Sequence, residues 1–125
     1  CQEGTTWESI LIASKLKLKN LFILIDYNKI QALDFIENGL PLHDLAKKFE
    51  SFNCHTVEIK NGHSFTEIFK KFTILYKKVI NKPKVIIFNT TKGKGIKSFE
   101  NNPIWHAKKV REKEANIAEK ELKKI

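Results

Sequence analysis

The sequence holds 125 residues, 42% of them hydrophobic and nine of them Phe, which is enough for one packed domain. Its longest apolar run, Leu21 to Ile25, is far below the roughly 20 residues that cross a bilayer, and no signal-peptide pattern opens the chain, so a cytoplasmic location without membrane contact is expected. The formal charge of +9 raises nucleic acid as a partner, yet every basic residue but Arg111 is Lys. These lysines fall in spread pairs (Lys47-Lys48, Lys70-Lys71, Lys77-Lys78, Lys108-Lys109, Lys123-Lys124), a pattern of solvated helix faces rather than of a base-reading surface, and no nucleic-acid partner is expected.

The chain opens on CQEGTTWES without an initiator Met. Thr5 or Thr6 can cap a helix whose apolar residues Trp7, Ile10, Leu11 and Leu18 recur at helical spacing, with Glu8 in its first turn. LFILID, Leu21 to Asp26, is apolar without alternation and predicts a strand buried on both faces. A polar loop with Asn38-Gly39 and Pro41 leads to an amphipathic helix from about Leu42 to Phe52 and a second strand, Cys54 to Ile59, in which Cys54 reads as a small buried hydrophobe. Two cysteines with neither metal-ligand spacing nor a disulfide framework predict reduced thiols.

Asn61-Gly62 ends the second strand. Ser64 can cap a helix carrying Phe65, Ile68, Phe69, Phe72 and Leu75, and Pro83 turns the chain into a third strand, KVIIFN, at Lys84 to Asn89. A glycine- and asparagine-containing loop follows, then a charged helix from about Arg111 to Ile125 with Ile117 and Leu122 as its sparse apolar contacts. Alternating helices and strands at this spacing predict the α/β class: an open parallel sheet with helices on both faces, residues 1–125 forming a single partial domain. Such sheets bind ligands outside the carboxyl ends of their strands, which here places Tyr27 to Gln31, Lys60 to His63 and Thr90 to Gly95 at one edge.

Three stretches at that edge or at the N-terminus carry distinctive chemistry. In Asp26-Tyr27-Asn28-Lys29-Ile30-Gln31, Asn28 is either a turn residue or, with a nearby backbone carbonyl, an oxygen ligand for a hard cation such as Mg²⁺. Thr90-Thr91-Lys92-Gly93-Lys94-Gly95 lacks the P-loop pattern and reads as a flexible loop or as a contact for phosphate. Glu3-Gly4-Thr5-Thr6-Trp7-Glu8 places Gly4 at a helix start, where N–H groups and the helix dipole favour an anion such as a diphosphate. Glu3 and Glu8 flank that start and complement the dipole or belong to a site.

Taken in order, CQEGTTWES, IDYNKIQ and TTKGKG…ENNPIWHAK resemble the thiamine-diphosphate-binding half of transketolase, especially the N-terminal subunit of transketolases made of two chains. In that family Gly-Asp-Gly-Glu precedes the counterpart of Cys1-Gln2-Glu3-Gly4, so the resemblance implies a chain that begins inside the cofactor motif, in a fold incomplete at its N-terminal side. Leu33-Asp34 stands where a Gly is common, and Ser64 replaces a common Asp.

The resemblance implies thiamine diphosphate and Mg²⁺ as cofactors, with the Asn28 side-chain oxygen and the Ile30 backbone carbonyl as metal ligands. Gly4 and His63 would lie by the cofactor. Glu3 is similar to a buried family carboxylate at the subunit interface, Glu8 to a member of its network, and His106 to a family histidine near the diphosphate and substrate channel; together these form the expected catalytic group. His43 and His55 read as surface residues. Transketolases pass a two-carbon ketol unit between sugar phosphates, so the resemblance implies these substrates, a complementary C-terminal half or subunit, and a homodimer or heterotetramer. This part alone is expected to be inactive. Another thiamine-diphosphate enzyme, a deoxyxylulose-phosphate synthase or a dehydrogenase E1 component, is the alternative, and a basic nucleic-acid-binding domain a more distant one.

Overall fold

A computed structural model describes residues 1–124. In chain order the elements are α1 (Gly4–Lys15), β1 (Phe22–Tyr27), β2 (Ile30–Gln31), β3 (Asp34–Phe35), a 3-10 turn (Ile36–Asn38), α2 (Leu45–Ser51), β4 (His55–Ile59), α3 (Phe65–Lys77), β5 (Lys84–Asn89), a second 3-10 turn (Pro103–His106) and α4 (Glu112–Leu122). They gather into two compact units, one of Cys1–Tyr27 and Leu42–Asn89, the other of Asn28–Pro41 and the residues from Thr90 onward.

The first unit is built on a parallel sheet of order β1-β5-β4, with Tyr27 opposite Asn89 and Ile59 opposite Phe88. The run KVIIFN occupies the centre because it can bury both faces, and Val85, Ile86 and Ile87 are wholly or almost wholly enclosed. Lys84 opens the strand with its ammonium 4.9 Å from the Phe22 ring centre, so the buried stem ends on an aromatic face instead of in hydrocarbon. Ile59, Leu75 and Ile86 form a cluster joined by Phe22, Val57, Ile68, Ile80 and Phe88, which packs α3 on one face of the sheet. On the other face, Thr6, Ser9, Ile10 and Ala13 of α1 border a depression with Leu21 and Ile23. Helices thus cover both faces, as the alternating pattern implied. Removing a filled position at the centre of the cluster, Leu75→Ala for instance, costs about 2–5 kcal/mol.

β1 departs from expectation. Among the described residues β5 is its one strand neighbour, and Leu24 is 57% exposed, so the predicted burial on both faces does not hold. Apolar composition records what a strand can bury, not which neighbours are present to bury it. The same reason applies to α3: of its predicted apolar positions Leu75 is buried and Ile68 partly so, whereas Phe65 and Phe69 stand on the flank toward solvent. Its capping was legible, the Ser64 hydroxyl accepting the Glu67 N–H at 3.3 Å.

α1 starts earlier than Thr5 or Thr6 would place it. Glu3 is the N-cap residue by its backbone but its side chain makes no cap bond, and Glu8 lies beyond the first turn, too far along to complement the dipole as expected. Leu11 is exposed, and Leu18 lies past the helix, its N–H closing the end on the Ala13 carbonyl at 3.1 Å. Trp7 secures the helix: its ring lies 5.2 Å from those of both Phe49 and Phe52, and its Nε1–H donates to the Cys1 carbonyl at 3.1 Å. α2 is shorter than predicted because Asp44, accepting the Lys47 N–H, caps it from within the expected span. Cys54 is buried, and burial pushes its thiol above the ordinary range.

In the second unit the supposed loop after β1 contains a two-residue antiparallel hairpin, Ile30 opposite Phe35 and Gln31 opposite Asp34, with Ile36 buried behind it. α4 buries Ala118, while the expected contacts Ile117 and Leu122 are 40% and 50% exposed. Arg111 is its N-cap residue, the Arg111 N–H donating to Glu114 Oε2 at 2.8 Å. The predicted end at Ile125 lies outside the described residues.

Candidate functional site

The carboxyl ends of β1 and β5 lead directly into two of the segments singled out above. In the first unit Tyr27 and Asn89 are register partners, and Asn28 and Thr90 are the next residues in the chain. The connection after β4 is tied to the end of β5, the Gly62 N–H donating to the Asn89 carbonyl at 2.8 Å and Asn89 Nδ2 to the Ile59 carbonyl at 3.3 Å. Asn61 folds this connection by accepting the His63 N–H at 3.2 Å, which leaves His63 exposed at the carboxyl edge.

α1 brings its N-terminus to the same edge of this unit. The six residues between α1 and β1 are closed by short-range bonds, among them Leu18 N–H to Ala13 and Leu21 N–H to Leu18, and α1 lies against Leu21 and Ile23, so the helix runs back along the strand. Twelve helical residues span about 18 Å, and the six of β1 about 20 Å, a near match. At this end the Gly4 and Thr5 N–H groups have no acceptor among the described residues, and a Cβ built on Gly4 meets no atom within 4 Å. Nothing inside the chain therefore requires glycine there. Glu3 and Glu8 are exposed in this chain, and among the described residues their carboxylates make no hydrogen bond or ion pair.

In the second unit Asn28 Oδ1 accepts the Ile30 N–H at 2.9 Å, a side-chain turn that carries Lys29 through a left-handed φ of 63°. The Lys29 carbonyl accepts the Ile36 N–H at 3.1 Å, so the turn is braced by the hairpin. The bond fixes the amide oxygen and leaves it a second lone pair. Asn28 Oδ1 and the Ile30 carbonyl are neutral hard oxygens, the donor class that Mg²⁺ accepts; as neutral ligands they leave the ion's charge to be met by anions. Among the described residues no group of three His, Cys, Asp or Glu could hold a metal ion.

The Thr90–Gly95 segment is structured, not a loose loop. Gly93 and Gly95 take positive φ of 73° and 102°, and the Lys92 carbonyl accepts the Asn101 N–H at 3.0 Å. The spot offered to a phosphate is filled by the chain itself: the Glu100 carboxylate accepts the Gly95 N–H at 3.1 Å and pairs with Lys94 at 3.3 Å. These bonds, the backbone one foremost, hold Glu100 below the usual carboxylate range. Nothing in the sequence marked Glu100, because its role depends on a bond back to a main-chain N–H. His106 ends the second 3-10 turn and is exposed; beside it Trp105 stacks on Phe99 at 4.0 Å with the Lys108 ammonium over its ring at 4.5 Å. Glu3, Gly4, Glu8 and His63 thus belong to the first unit, and Asn28, Ile30 and His106 to the second.

A parallel sheet of order β1-β5-β4 covered by helices defines an α/β domain. The profile of the family described as transketolase, thiamine diphosphate binding domain, matches residues 1–123, and the chain belongs to that family. It is 37% identical over 121 residues to one subunit of the apulose-4-phosphate transketolase of Actinobacillus succinogenes, covering 97% of this chain and 43% of that protein. It is 32% identical over 123 residues to the human transketolase, covering 98% of this chain but 18% of that one. The transketolase structure from Campylobacter jejuni superposes with a TM-score of 0.76 at 26% identity, over 98% of this chain and 19% of the other. The chain thus spans less than half the length of these relatives. No described helix is long and apolar enough to cross a membrane.

Proposed function

We propose that this chain is part of the diphosphate- and metal-holding domain of a cytoplasmic transketolase, which transfers a two-carbon ketol unit between sugar phosphates with thiamine diphosphate and Mg²⁺. The observation that carries the reading is the Asn28 turn, a fixed amide oxygen followed two residues later by Ile30, in a chain of the transketolase family. Relatives that are single subunits of split transketolases support a complementary subunit, and a homodimer or heterotetramer is the assembly we propose. Residues 1–125 are then one partial domain, inactive alone.

When bound, thiamine diphosphate supplies the carbanion chemistry of ketol transfer. The chain's residues bind and orient. Asn28 Oδ1 and the Ile30 carbonyl would hold Mg²⁺, and the free N–H groups at the start of α1 would meet diphosphate oxygens, with the open space at Gly4 admitting them. Glu3 and Glu8, exposed here, would face the complementary subunit, and His63 and His106 would lie toward cofactor and substrate.

Titration of the complete enzyme with cofactor at two Mg²⁺ levels tests this. Asn28→Ala is expected to weaken cofactor binding by at least about tenfold, with partial rescue at high Mg²⁺. Asn28→Asp keeps an acceptor for the Ile30 N–H but adds a charge, so a turn-only role predicts parent-like affinity at both metal levels. Unchanged affinity in Asn28→Ala removes the metal assignment.

A further inference from the structure

We propose that the cavity between the 94–98 segment and the end of α4 is a phosphoryl-binding site, with Glu121 as the chain's own stand-in for the phosphate. The cavity measures about 460 Å³ and is lined by Lys94, Gly95, Lys97, Glu100, Glu121 and Lys124, all in the second unit. That volume suits a small phosphate ester.

Two donor pairs face carboxylates of this chain. Glu100 takes the Gly95 N–H and Lys94, in a partly buried contact. Glu121 Oε2 takes the Ser98 N–H at 3.2 Å and the Ser98 Oγ–H at 3.3 Å, in an exposed one that spans 23 residues of sequence. A backbone N–H and a hydroxyl from one residue bind a phosphate oxygen as readily as a carboxylate oxygen. Glycines with positive φ at 93 and 95 turn the backbone so that successive N–H groups can converge on an anion.

Charge favours the exchange. Three lysines line the cavity against two glutamates, and among the described residues the ammonium groups of Lys97 and Lys124 make no hydrogen bond or ion pair, though the charge of Lys97 already acts on Glu100. Glu100, held by both the Gly95 N–H and Lys94, stays and keeps the segment folded. Glu121, half-buried but bound to Ser98 through an exposed contact, swings away and yields the Ser98 donors to a dianion that Lys97 and Lys124 neutralise. The site rests on this cavity alone and stands whether or not the chain works as a transketolase.

The test is a titration of the full chain with inorganic phosphate at constant ionic strength, followed by the amide resonances of Gly95 and Ser98. A saturable shift of Ser98 at millimolar phosphate is expected, with chloride inert. Glu121→Ala should tighten binding about fivefold by removing a competing charge, and Lys124→Ala, which breaks no described contact, should weaken it about as much. A parallel arm with ribose 5-phosphate and with ribose separates the sources: several-fold preference for the ester assigns a sugar phosphate, equal affinity assigns the free anion. The proposal is overturned if no saturable shift appears, if chloride matches phosphate, or if Lys124→Ala binds like the parent; the last comparison decides the matter even where Glu121→Ala fails to fold.

Discussion

Gly4 and Gly93 both stand in segments read as anion contacts, and the structure separates their roles. At Gly93 φ is 73° and a built Cβ would lie 2.7 Å from the Phe99 carbonyl oxygen and 2.9 Å from its carbon, which are backbone atoms that cannot swing aside. Gly93→Ala therefore meets both a left-handed backbone and a steric clash, and urea denaturation should show a loss of about 1–3 kcal/mol. Gly4→Ala should leave stability unchanged or raise it by up to about 1 kcal/mol, because alanine suits a helix better and meets nothing. A Gly93→Ala variant as stable as the parent would contradict this account of the loop. The residue-level chemistry that sequence exposed was of the local kind: the Ser64 cap bonds across three residues, and the Asn28 turn, one of two readings given to that residue, across two. Glu100 and Glu121 went unread because their partners are chosen by the folded path of the backbone.

Among the elements, β5 was legible to the residue, since a continuous apolar run bounded by Pro83 and a polar loop admits few other structures. The β2–β3 hairpin was not, because strands of two residues carry no periodicity. β4 holds a feature that sequence concealed. His55, expected on the surface, is half buried at the amino end of that strand, its N–H donating to the Pro83 carbonyl at 2.9 Å. Burial, followed by the charges of Lys78 and Lys82, lowers its pKa, with Glu50 acting the other way and Lys84 adding to the decrease. The folded state thus binds the proton less well than the unfolded chain. Below the ordinary histidine value near 6.5, the unfolded state holds more protons, so stability is fully present above that pH and falls as pH drops toward the lowered folded value. Urea midpoints of the parent and His55→Gln from pH 7.5 to 5 should diverge in slope, the variant losing the part due to this group. Parallel curves would remove His55 as the source.

On the scale of the molecule, the notable surface is apolar, and it belongs to the first unit. Phe65 and Phe69 stack at 6.1 Å on the outer flank of α3, and Phe72 and Tyr76 stack at 6.3 Å; Phe22, at the start of β1, meets Phe72 at 5.1 Å. Phe65 is 78% exposed and Tyr76 69%, and Leu24 on the same side of the sheet adds to the patch. Such a patch drives association unless charge opposes it, and the formal charge of +9 does so at low ionic strength. Salt screens that repulsion over about 10 Å at 0.1 M and over about 3 Å at 1 M, while it strengthens rather than weakens apolar contact. The isolated chain should therefore sediment as a monomer in dilute buffer and as larger species at high salt, the reverse of what ion-pair assembly would give. Phe65→Ser combined with Phe69→Ser should keep it monomeric at high salt. Because both side chains are mostly exposed, each substitution should change stability by no more than about 0.5 kcal/mol. Sedimentation velocity across a salt series, paired with thermal melts of both proteins, reads the two effects separately. Association unaffected by the double substitution would place the sticky surface elsewhere, and a collapse of the melt would mean that these rings are part of the core.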